Sequence, residues 1–430
     1  MTIDAEAPVA ESDVQPNSGT VTISPTLNSS LAITANSESK NRLFKSAMSE
    51  QLGNEDNNPT EELLRLYNAW AEGGTGIVVT GNVMVDRTAL GEPKNVVLDE
   101  NSDLSLFSRW AEAGTRHNTQ LWMQLNHPGK QIPNFLNKTP VAPSAVPLGN
   151  GLEGMFNPPR ELSESEILGI IDKFAFSAAK AKETGFSGVQ IHGAHGYLVN
   201  QFLSPHHNRR QDQWGGSLEN RMRFVREIYQ AIRAQVGDNY PVGIKLNSAD
   251  FQKGGFSEEE SMEVIRTLQD DGINLIEVSG GNYENPAMVG SEAKDSTIKR
   301  EAYFLDYAEK ARKLLRIPFV LTGGFRSTPA MNQALASGAI DMVGIARPLA
   351  VDPSASQKLL NNASHKIELK ELTTGFAKLD FMTMLDITWY EHQMERIGKG
   401  KSAKPNMSPW RSVFKTFMAL GSHSMKRRRA

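Results

Sequence analysis

The chain has 430 residues, of which 39% are hydrophobic and 22% charged, and its formal net charge is −3. This composition can fill the core of one large barrel or of roughly two to three ordinary domains, and the negative charge argues against nucleic acid as a partner. The absence of cysteine excludes disulfides, thiolate metal sites, iron–sulfur clusters and thiol catalysis.

The first part of the chain is polar and acidic. Residues 1–39 contain neither Lys nor Arg, so they lack the basic start of a secretory signal and the arginines of a transit peptide. Residues 1–20 are therefore predicted to form a disordered tail. Because no apolar run approaches the roughly 18 residues that span a bilayer, we expect a cytoplasmic protein without a membrane partner.

From Leu43 onward, short apolar segments alternate with amphipathic segments of helical length. The pattern predicts eight strands, over residues 43–48, 76–80, 119–125, 188–191, 242–246, 275–279, 319–322 and 341–345. It predicts helices that begin near Thr60, over residues 103–116, after the capping box Ser163–Glu166, over 217–235, after the capping box Ser257–Glu260, over 302–315 and over 329–337.

The order of these elements indicates an α/β fold. The strands are largely apolar rather than alternating, as expected for strands of a parallel sheet that is covered on both faces. Eight strand–helix units over about 300 residues predict a single-domain (β/α)8 TIM barrel, which we place in residues 21–365. A doubly wound sheet would carry its phosphate-binding glycines after the first strand, whereas the glycine-rich turn here follows the seventh. Residues 366–430 are predicted to form a helical extension with a basic tail.

A long proline-rich loop, residues 128–161, follows the third strand. Loops of this length in compact domains are usually functional, so we expect a lid. The loop contains a G-x-G-x-x-G sequence at residues 149–154. Because no strand precedes it and no helix follows, this match is interpreted as coincidence rather than as a dinucleotide-binding motif.

The ends of the strands carry the polar residues. The fourth strand is followed by His192, His195 and Tyr197, which together form a hydrogen-bonding and proton-transfer set. Spacing alone leaves a metal site or two structural histidines as alternatives. In a barrel these residues meet the ends of the other strands at one mouth, where the Gly323-Gly324 turn and Arg347 form an anion cradle. Lys245 on a buried strand requires a negative partner, and a structural ion pair is the alternative for both cations.

Four segments resemble one known family. Residues 41–48, Asn-Arg-Leu-Phe-Lys-Ser-Ala-Met, look like the opening strand of the Old Yellow Enzyme family of FMN-dependent NAD(P)H oxidoreductases. Residues 124–129 resemble its third strand motif, and residues 389–390, Trp-Tyr, resemble its tail. Residues 191–205, which continue into Asn-Arg-Arg at 208–210 and Gly-Gly-Ser at 215–217, are similar to its most distinctive signature. The resemblance covers roughly residues 24 to 405.

The resemblance implies a bound FMN and NADPH or NADH as the hydride donor. The residues that it places around FMN are Ala47, Met48, Ser49, Gly81, Gln124, Lys245, Gly323, Gly324, Ala346 and Arg347. Lys245 stands where the family usually has arginine, and Ser49 where relatives have threonine or cysteine. His192 and His195, the His-x-x-His form of the family pair, would bind the carbonyl oxygen of the substrate, and Tyr197 would protonate carbon.

The expected activity is therefore reduction of the C=C bond of an α,β-unsaturated carbonyl compound by an enzyme that is a possible homo-oligomer. Two other classes of function stay open from the sequence. One is a metal-dependent barrel hydrolase that uses His192, His195, His206 and His207, and the other is a non-catalytic flavin-binding protein. The basic run 426–429 is interpreted as a solvated tail rather than as a nuclear or membrane address.

Overall fold

The computed structural model describes residues 24–281, 284 and 304–427. The predicted disordered tail, residues 1–20, lies outside the described residues, as does the beginning of the helix predicted over 302–315. The strands are β1 Leu31–Thr34, β2 Ser37–Ser39, β3 Leu43–Lys45, β4 Ile77–Met84, β5 Val96–Val97, β6 Gln120–Asn126, β7 Val141–Ala142, β8 Arg160–Glu161, β9 Gly188–Gly193, β10 Val242–Asn247, β11 Leu275–Ser279, β12 Phe319–Thr322 and β13 Met342–Ile345.

The described helices alternate with these strands and then form an extension. They are α1 Glu61–Glu72, α2 Leu104–Gly114, α3 Glu164–Glu183, α4 Leu198–Leu203, α5 Leu218–Val236, α6 Glu258–Asp270, α7 Leu305–Arg312, α8 Thr328–Ala336, α9 Arg347–Val351, α10 Ala355–Asn361, α11 Ala377–Met382, α12 Leu385–Gly398 and α13 Pro409–Arg427.

Eight of the strands close into a barrel. Strands β3, β4, β6, β9, β10, β11, β12 and β13 pair in parallel in chain order, and β13 pairs with β3. The predicted (β/α)8 barrel is thus confirmed. Since all eight strands are parallel, their carboxyl ends lie at one rim, where barrel active sites are built.

The second barrel strand is longer than predicted. It was expected to stop at Thr80 but continues to Met84, with an irregular register between Val79 and Asn82. The polar sequence Thr80-Gly81-Asn82 resembles a strand end, yet here it marks a bulge, which a strand can contain without ending. Conversely, the first strand ends at Lys45 rather than Met48. The predicted capping boxes at Ser163–Glu166 and Ser257–Glu260 are both present.

The interior of the barrel is filled separately from the layer between strands and helices. Trp122 on β6 lies fully buried in an inner cluster with Phe44, Val79 and Leu275. Two glycines make room for its ring, because a Cβ at Gly188 or at Gly243 would lie only 2.8 or 2.9 Å from the indole. The β1–β2 hairpin, which the sequence did not predict, contributes Ile33 to the same cluster. The amino-terminal half of the barrel is therefore solid.

The extension beyond the barrel packs onto it. Helix α12 contacts α1 and α9, and α13 contacts α12. Gly398 at the end of α12 lies so close to α1 that an added Cβ would be 2.5 Å from the Glu62 carbonyl oxygen. These contacts place the extension beside the rim that carries the strand ends.

We expect opposite effects from the same substitution at two glycines. Gly243→Ala should lower the free energy of unfolding by about 1–3 kcal/mol, because the new methyl group overlaps the Trp122 ring. Gly169→Ala, in the interior of α3 with no atom within 4 Å of the new Cβ, should raise it by roughly 0.5–1 kcal/mol through helix propensity. Denaturant unfolding of both variants tests this, and equal effects would contradict the packing argument.

Candidate active site

A cavity of about 440 Å³ lies at the carboxyl ends of the barrel strands. It is lined by nine of the thirteen residues that the sequence analysis selected. These are Ala47, Met48, Ser49, Gln124, His192, His195, Tyr197, Lys245 and Arg347. The predicted convergence of strand ends on one mouth is thereby observed for β3, β6, β9, β10 and β13.

Three residues at the carboxyl end of β9 and directly after it, His192, His195 and Tyr197, form one wall of this cavity. The ring of His192 lies 5.3 Å from that of His195 and 4.8 Å from that of Tyr197, centroid to centroid, with both pairs edge to face. His195 adopts a left-handed conformation (φ 60°), and Gly196 follows with φ 79°. This turn brings the two imidazoles and the phenol together, although they are spread over six positions of the chain.

Hydrogen bonds orient both imidazoles. Nδ1 of His192 accepts from the Ala194 backbone N–H at 3.3 Å, so in the neutral ring the proton is on Nε2. Nε2 of His195 lies 3.0 Å from the Ser279 hydroxyl, and its backbone N–H donates to Asn247 at 3.1 Å. When Ser279 donates to Nε2, Nδ1 of His195 carries the proton. Ser279 was missed because nothing in a serine at a strand end indicates such a role.

Both histidines are neutral near pH 7. Burial is the main cause that holds the pKa of His192 well below its ordinary value, and the proximity of His195 and of Lys245 adds to it. Burial followed by the charge of Lys245 has the same effect on the pKa of His195. Neutral imidazoles have one N–H each, so the pair offers two hydrogen-bond donors without carrying charge.

Lys245 is held by a buried carboxylate. Its Nζ lies 3.3 Å from Oε1 of Glu277, and both side chains are nearly inaccessible to solvent. The same carboxylate accepts from Gln190 at 2.8 Å and from Thr322 at 2.7 Å. Lys245 therefore has the negative partner that its burial requires while it still lines the cavity. Glu277 itself was not selected from the sequence, because its strand reads as an apolar run.

Gln124 has an unsatisfied acceptor. Its Nε2 donates to Oε1 of Gln190 at 2.8 Å, whereas its Oε1 is buried without a hydrogen-bond partner. A buried carbonyl oxygen without a donor is unfavourable, and here the side chain lines the cavity. A ligand with an N–H at this position, such as the pyrimidine edge of a flavin, would satisfy it.

Four predicted cofactor residues do not line the cavity. Gly81 uses its backbone N–H in bonds to Tyr67 at 2.9 Å and to Glu50 at 3.2 Å. Gly323 and Gly324 follow β12 with φ angles of 135° and 93°, and Ala346 precedes Arg347 at the start of α9. The glycine turn and Ala346 thus follow the neighbouring strands β12 and β13, as the anion cradle requires, but their contact with FMN stays a prediction.

Several walls of the cavity were not predicted. Glu92 accepts a hydrogen bond from Ser49, and burial raises the pKa of its carboxyl group. The lid loop contributes Leu152 and Met155. The extension contributes the remaining apolar surface through Phe381, Met384, Leu385, Ile387, Tyr390 and Met394. Apolar spacing in the sequence showed that this helix docks, but no local signal showed where.

The structure separates the four histidines of the hydrolase hypothesis. His192 and His195 line the cavity, whereas His206 and His207 lie with Glu284 in a group whose ligand atoms are within 4.8 Å of one another. Lys130 Nζ is 2.9 Å from Nδ1 of His207, so a cation already contacts one of the three residues. A divalent ion would be repelled at this position, and we assign no metal to it.

The protein is a (β/α)8 barrel with a cavity at the carboxyl ends of its strands, and the residues of that cavity fit a flavin. The model of the NADH:flavin oxidoreductase / NADH oxidase family matches residues 33–366. The chain therefore belongs to this family, whose cofactor is FMN, and it is an NAD(H)-dependent flavin oxidoreductase. Within the described residues, no helix is both long and apolar enough to cross a membrane.

Curated relatives carry related names. The chain is 37% identical over 365 residues to the NADH-dependent flavin oxidoreductase iliE of Hypocrea jecorina (strain QM6a). The aligned region covers 79% of this chain and 90% of that protein. It is 34% identical to the NADH oxidase of Thermoanaerobacter brockii, over 76% of this chain but only 50% of that protein.

Solved structures show the same fold. The structure of 2-naphthoyl-CoA reductase with 2-naphthoyl-CoA superimposes with a TM-score of 0.72 at 28% identity, over 78% of this chain and 52% of that one. The Old Yellow Enzyme homologue from Zymomonas mobilis gives a TM-score of 0.68 at 22% identity, over 80% and 95% of the two chains. The resemblance seen in the sequence is thus confirmed at the level of the family.

From the unsatisfied oxygen of Gln124 we predict that this side chain contributes to the affinity for FMN. Gln124→Leu removes the acceptor and should weaken FMN binding roughly 10- to 100-fold, the effect of about 1–3 kcal/mol for a buried hydrogen bond. Asn126→Leu is the control, because Asn126 ends the same strand and has an unsatisfied Oδ1 but does not line the cavity. Fluorescence titration of the apoproteins with FMN should separate the two, and equal losses would place the pyrimidine edge elsewhere.

Proposed function

We propose that this oxidoreductase reduces the C=C bond of an α,β-unsaturated carbonyl compound with NADH as the electron donor. The observation that carries the proposal is the single wall formed by His192, His195 and Tyr197, where two neutral donors lie beside one phenol. Two donors suit a carbonyl oxygen that becomes negative, and the phenol suits a carbon that needs a proton.

The residues around the cavity fit FMN. Gln124 offers its unsatisfied oxygen to the pyrimidine edge, Lys245 supplies a positive charge, and Arg347 with the Gly323-Gly324 turn would hold the phosphate. FMN, when bound, supplies the hydride that it has taken from the nicotinamide. The protein contributes orientation, electrostatics and the exclusion of water.

The histidine pair would polarise the substrate. Hydride addition to the β carbon of an enone moves negative charge onto the carbonyl oxygen, which Nε2–H of His192 and Nδ1–H of His195 would stabilise. The donors are fixed before the reaction, because the Ala194 amide and the Ser279 hydroxyl hold the rings. Burial makes each hydrogen bond stronger than it would be in water.

Tyr197 would complete the reaction. The α carbon gains a proton from the phenol, which is then restored from water, so one NADH and one proton are consumed for each C=C bond. Tyr197 is buried, directly precedes α4 and lies on the same wall as both histidines. Relatives with reductase names support this direction of reaction, among them the cinnamate reductase of Clostridium sporogenes, 30% identical over 77% of this chain and 52% of that protein.

Loss of either histidine should impair carbonyl binding. His192→Ala and His195→Ala should each weaken the binding of a phenol, which imitates the anionic oxygen, and slow alkene reduction about 10²–10³-fold. His206→Ala is the matched control, because His206 does not line the cavity. Phenol titrations followed by flavin absorption measure the affinity. Unchanged affinity in both cavity variants would mean that the pair does not bind the carbonyl oxygen.

The role of Tyr197 can be separated from binding. Tyr197→Phe keeps the ring and should accept hydride from NADH at a near wild-type rate, but reoxidation by an enone should slow by roughly 10²–10⁴. A quinone needs no proton on carbon, so its reduction should be spared. Stopped-flow reoxidation with both acceptors tests the assignment: equal losses would reject Tyr197 as the proton donor. A wild-type protein that is yellow but is reoxidised by neither acceptor would be a non-catalytic flavoprotein.

A further inference from the structure

Helix α13 leaves an aromatic face exposed. Its Ser412 and Val413 are buried, and the Ser412 hydroxyl bonds to His392 of α12 at 2.8 Å. On another side, Trp410, Phe414 and Phe417 are 50%, 66% and 49% exposed. Positions 410, 414 and 417 recur at helical spacing and therefore share one face. Large grouped aromatics are uncommon on a protein surface and usually mark a site of interaction.

The exposed surface continues onto α11. Phe376, just before α11, is 63% exposed, and its ring lies 5.8 Å from that of Trp410. Farther along α11, Phe381 and Met382 are also exposed, and Phe381 lines the active-site cavity. Exposed apolar side chains thus occur on both helices, and one of those on α11, Phe381, lines the cavity.

The charge of this region differs from that of the rest of the chain. Residues 396–430 contain ten Lys or Arg and no Asp or Glu. Because the whole chain carries −3, residues 1–395 carry −13. A basic segment with an aromatic helical face on an otherwise acidic protein is the pattern of a helix that lies on an anionic membrane surface.

We propose that α13 docks this protein onto an anionic lipid surface. The aromatic face would enter the headgroup region, while basic side chains of residues 396–430 contact lipid phosphates. A second copy of the chain is a poorer occupant, because a symmetric contact would bring two basic segments together, even though Lys399 and Lys415 are paired with Glu395. The proposal is an alternative to the expectation of a solvated tail, and Arg428 and Arg429 of the basic run lie outside the described residues. It is independent of the reaction that the cavity catalyses.

Docking would also place the cavity near the lipid. Phe381 belongs both to the exposed surface and to the cavity lining, so a membrane under α11 would lie next to the cavity. An apolar substrate dissolved in the membrane could then enter without crossing water.

Co-flotation of the full chain with vesicles tests the proposal. Wild-type protein should bind vesicles of phosphatidylcholine with phosphatidylserine and bind those of phosphatidylcholine alone at least tenfold more weakly, and added salt should reduce binding. Phe414→Ser with Phe417→Ser should lower affinity by at least about tenfold, given the apolar area removed. Replacing Lys426 to Arg429 by Gln should also weaken binding and reduce its dependence on salt.

Matched controls separate docking from general stickiness. Leu168→Ser with Leu314→Ser removes two other exposed apolar side chains, 45% and 41% exposed, and should leave vesicle binding unchanged. All variants should retain flavin absorption. The proposal is overturned if wild-type protein fails to float with anionic vesicles, or if the Phe414/Phe417 variant binds as well as wild type. A different result would assign the face to a second copy of the chain: wild-type protein does not bind vesicles but dimerises in sedimentation velocity, and the Phe414/Phe417 variant does not dimerise.

Discussion

The buried ion pair between Glu277 and Lys245 is the interaction on which the active site depends. A carboxylate without any exposure in the middle of a barrel is unfavourable unless its charge and its lone pairs are satisfied. Glu277 obtains a cation from β10, an amide from β9 and a hydroxyl from β12. Thr322 in turn contacts the Ser46 hydroxyl, which follows β3, at 2.7 Å. The Glu277 side chain thereby links β11 to three other barrel strands, and Thr322 extends the connection to the segment after β3.

The same pair explains how a cation and two neutral imidazoles coexist. The positive charge of Lys245 and burial both hold the pKa values of His192 and His195 below their ordinary value. The protein thus separates two electrostatic roles within one cavity, with a fixed charge on one side and uncharged donors on the other. Removing the negative charge of Glu277 would disturb both the fixed charge and the neutral donors, because Lys245 would then be buried without a partner.

The sequence predicts those parts of the structure that follow from local patterns. Apolar strands, capping boxes and strand-end polar residues were sufficient for the barrel and for the part of the cavity that the strand ends line, since the closure of eight parallel strands forces their ends together. Glu277 could not be found in this way, because a single acidic residue within the strand Leu275–Ser279 is indistinguishable from a solvent-facing position. Glu92 was missed for a different reason. Its contact with Ser49 joins two loops, and the geometry of loops depends on the whole fold.

The barrel and the helices of the extension contribute different kinds of residues to the cavity. The strand ends carry most of the polar groups, while α11, α12 and the loop carry most of the apolar lining together with Asp380 and Asp386. The two parts are joined by buried polar contacts, since Glu391 of α12 accepts from Gln51 at 2.9 Å, just after β3. Burial and the nearby Glu92 raise the pKa of Glu391 well above its ordinary value, which favours a protonated carboxyl group at this junction. A neutral hydrogen-bonded contact can hold the helix against the barrel without placing another negative charge beside Glu92. The shape of the cavity is consequently set largely by the helices and the loop, and its hydrogen-bonding groups largely by the strand ends.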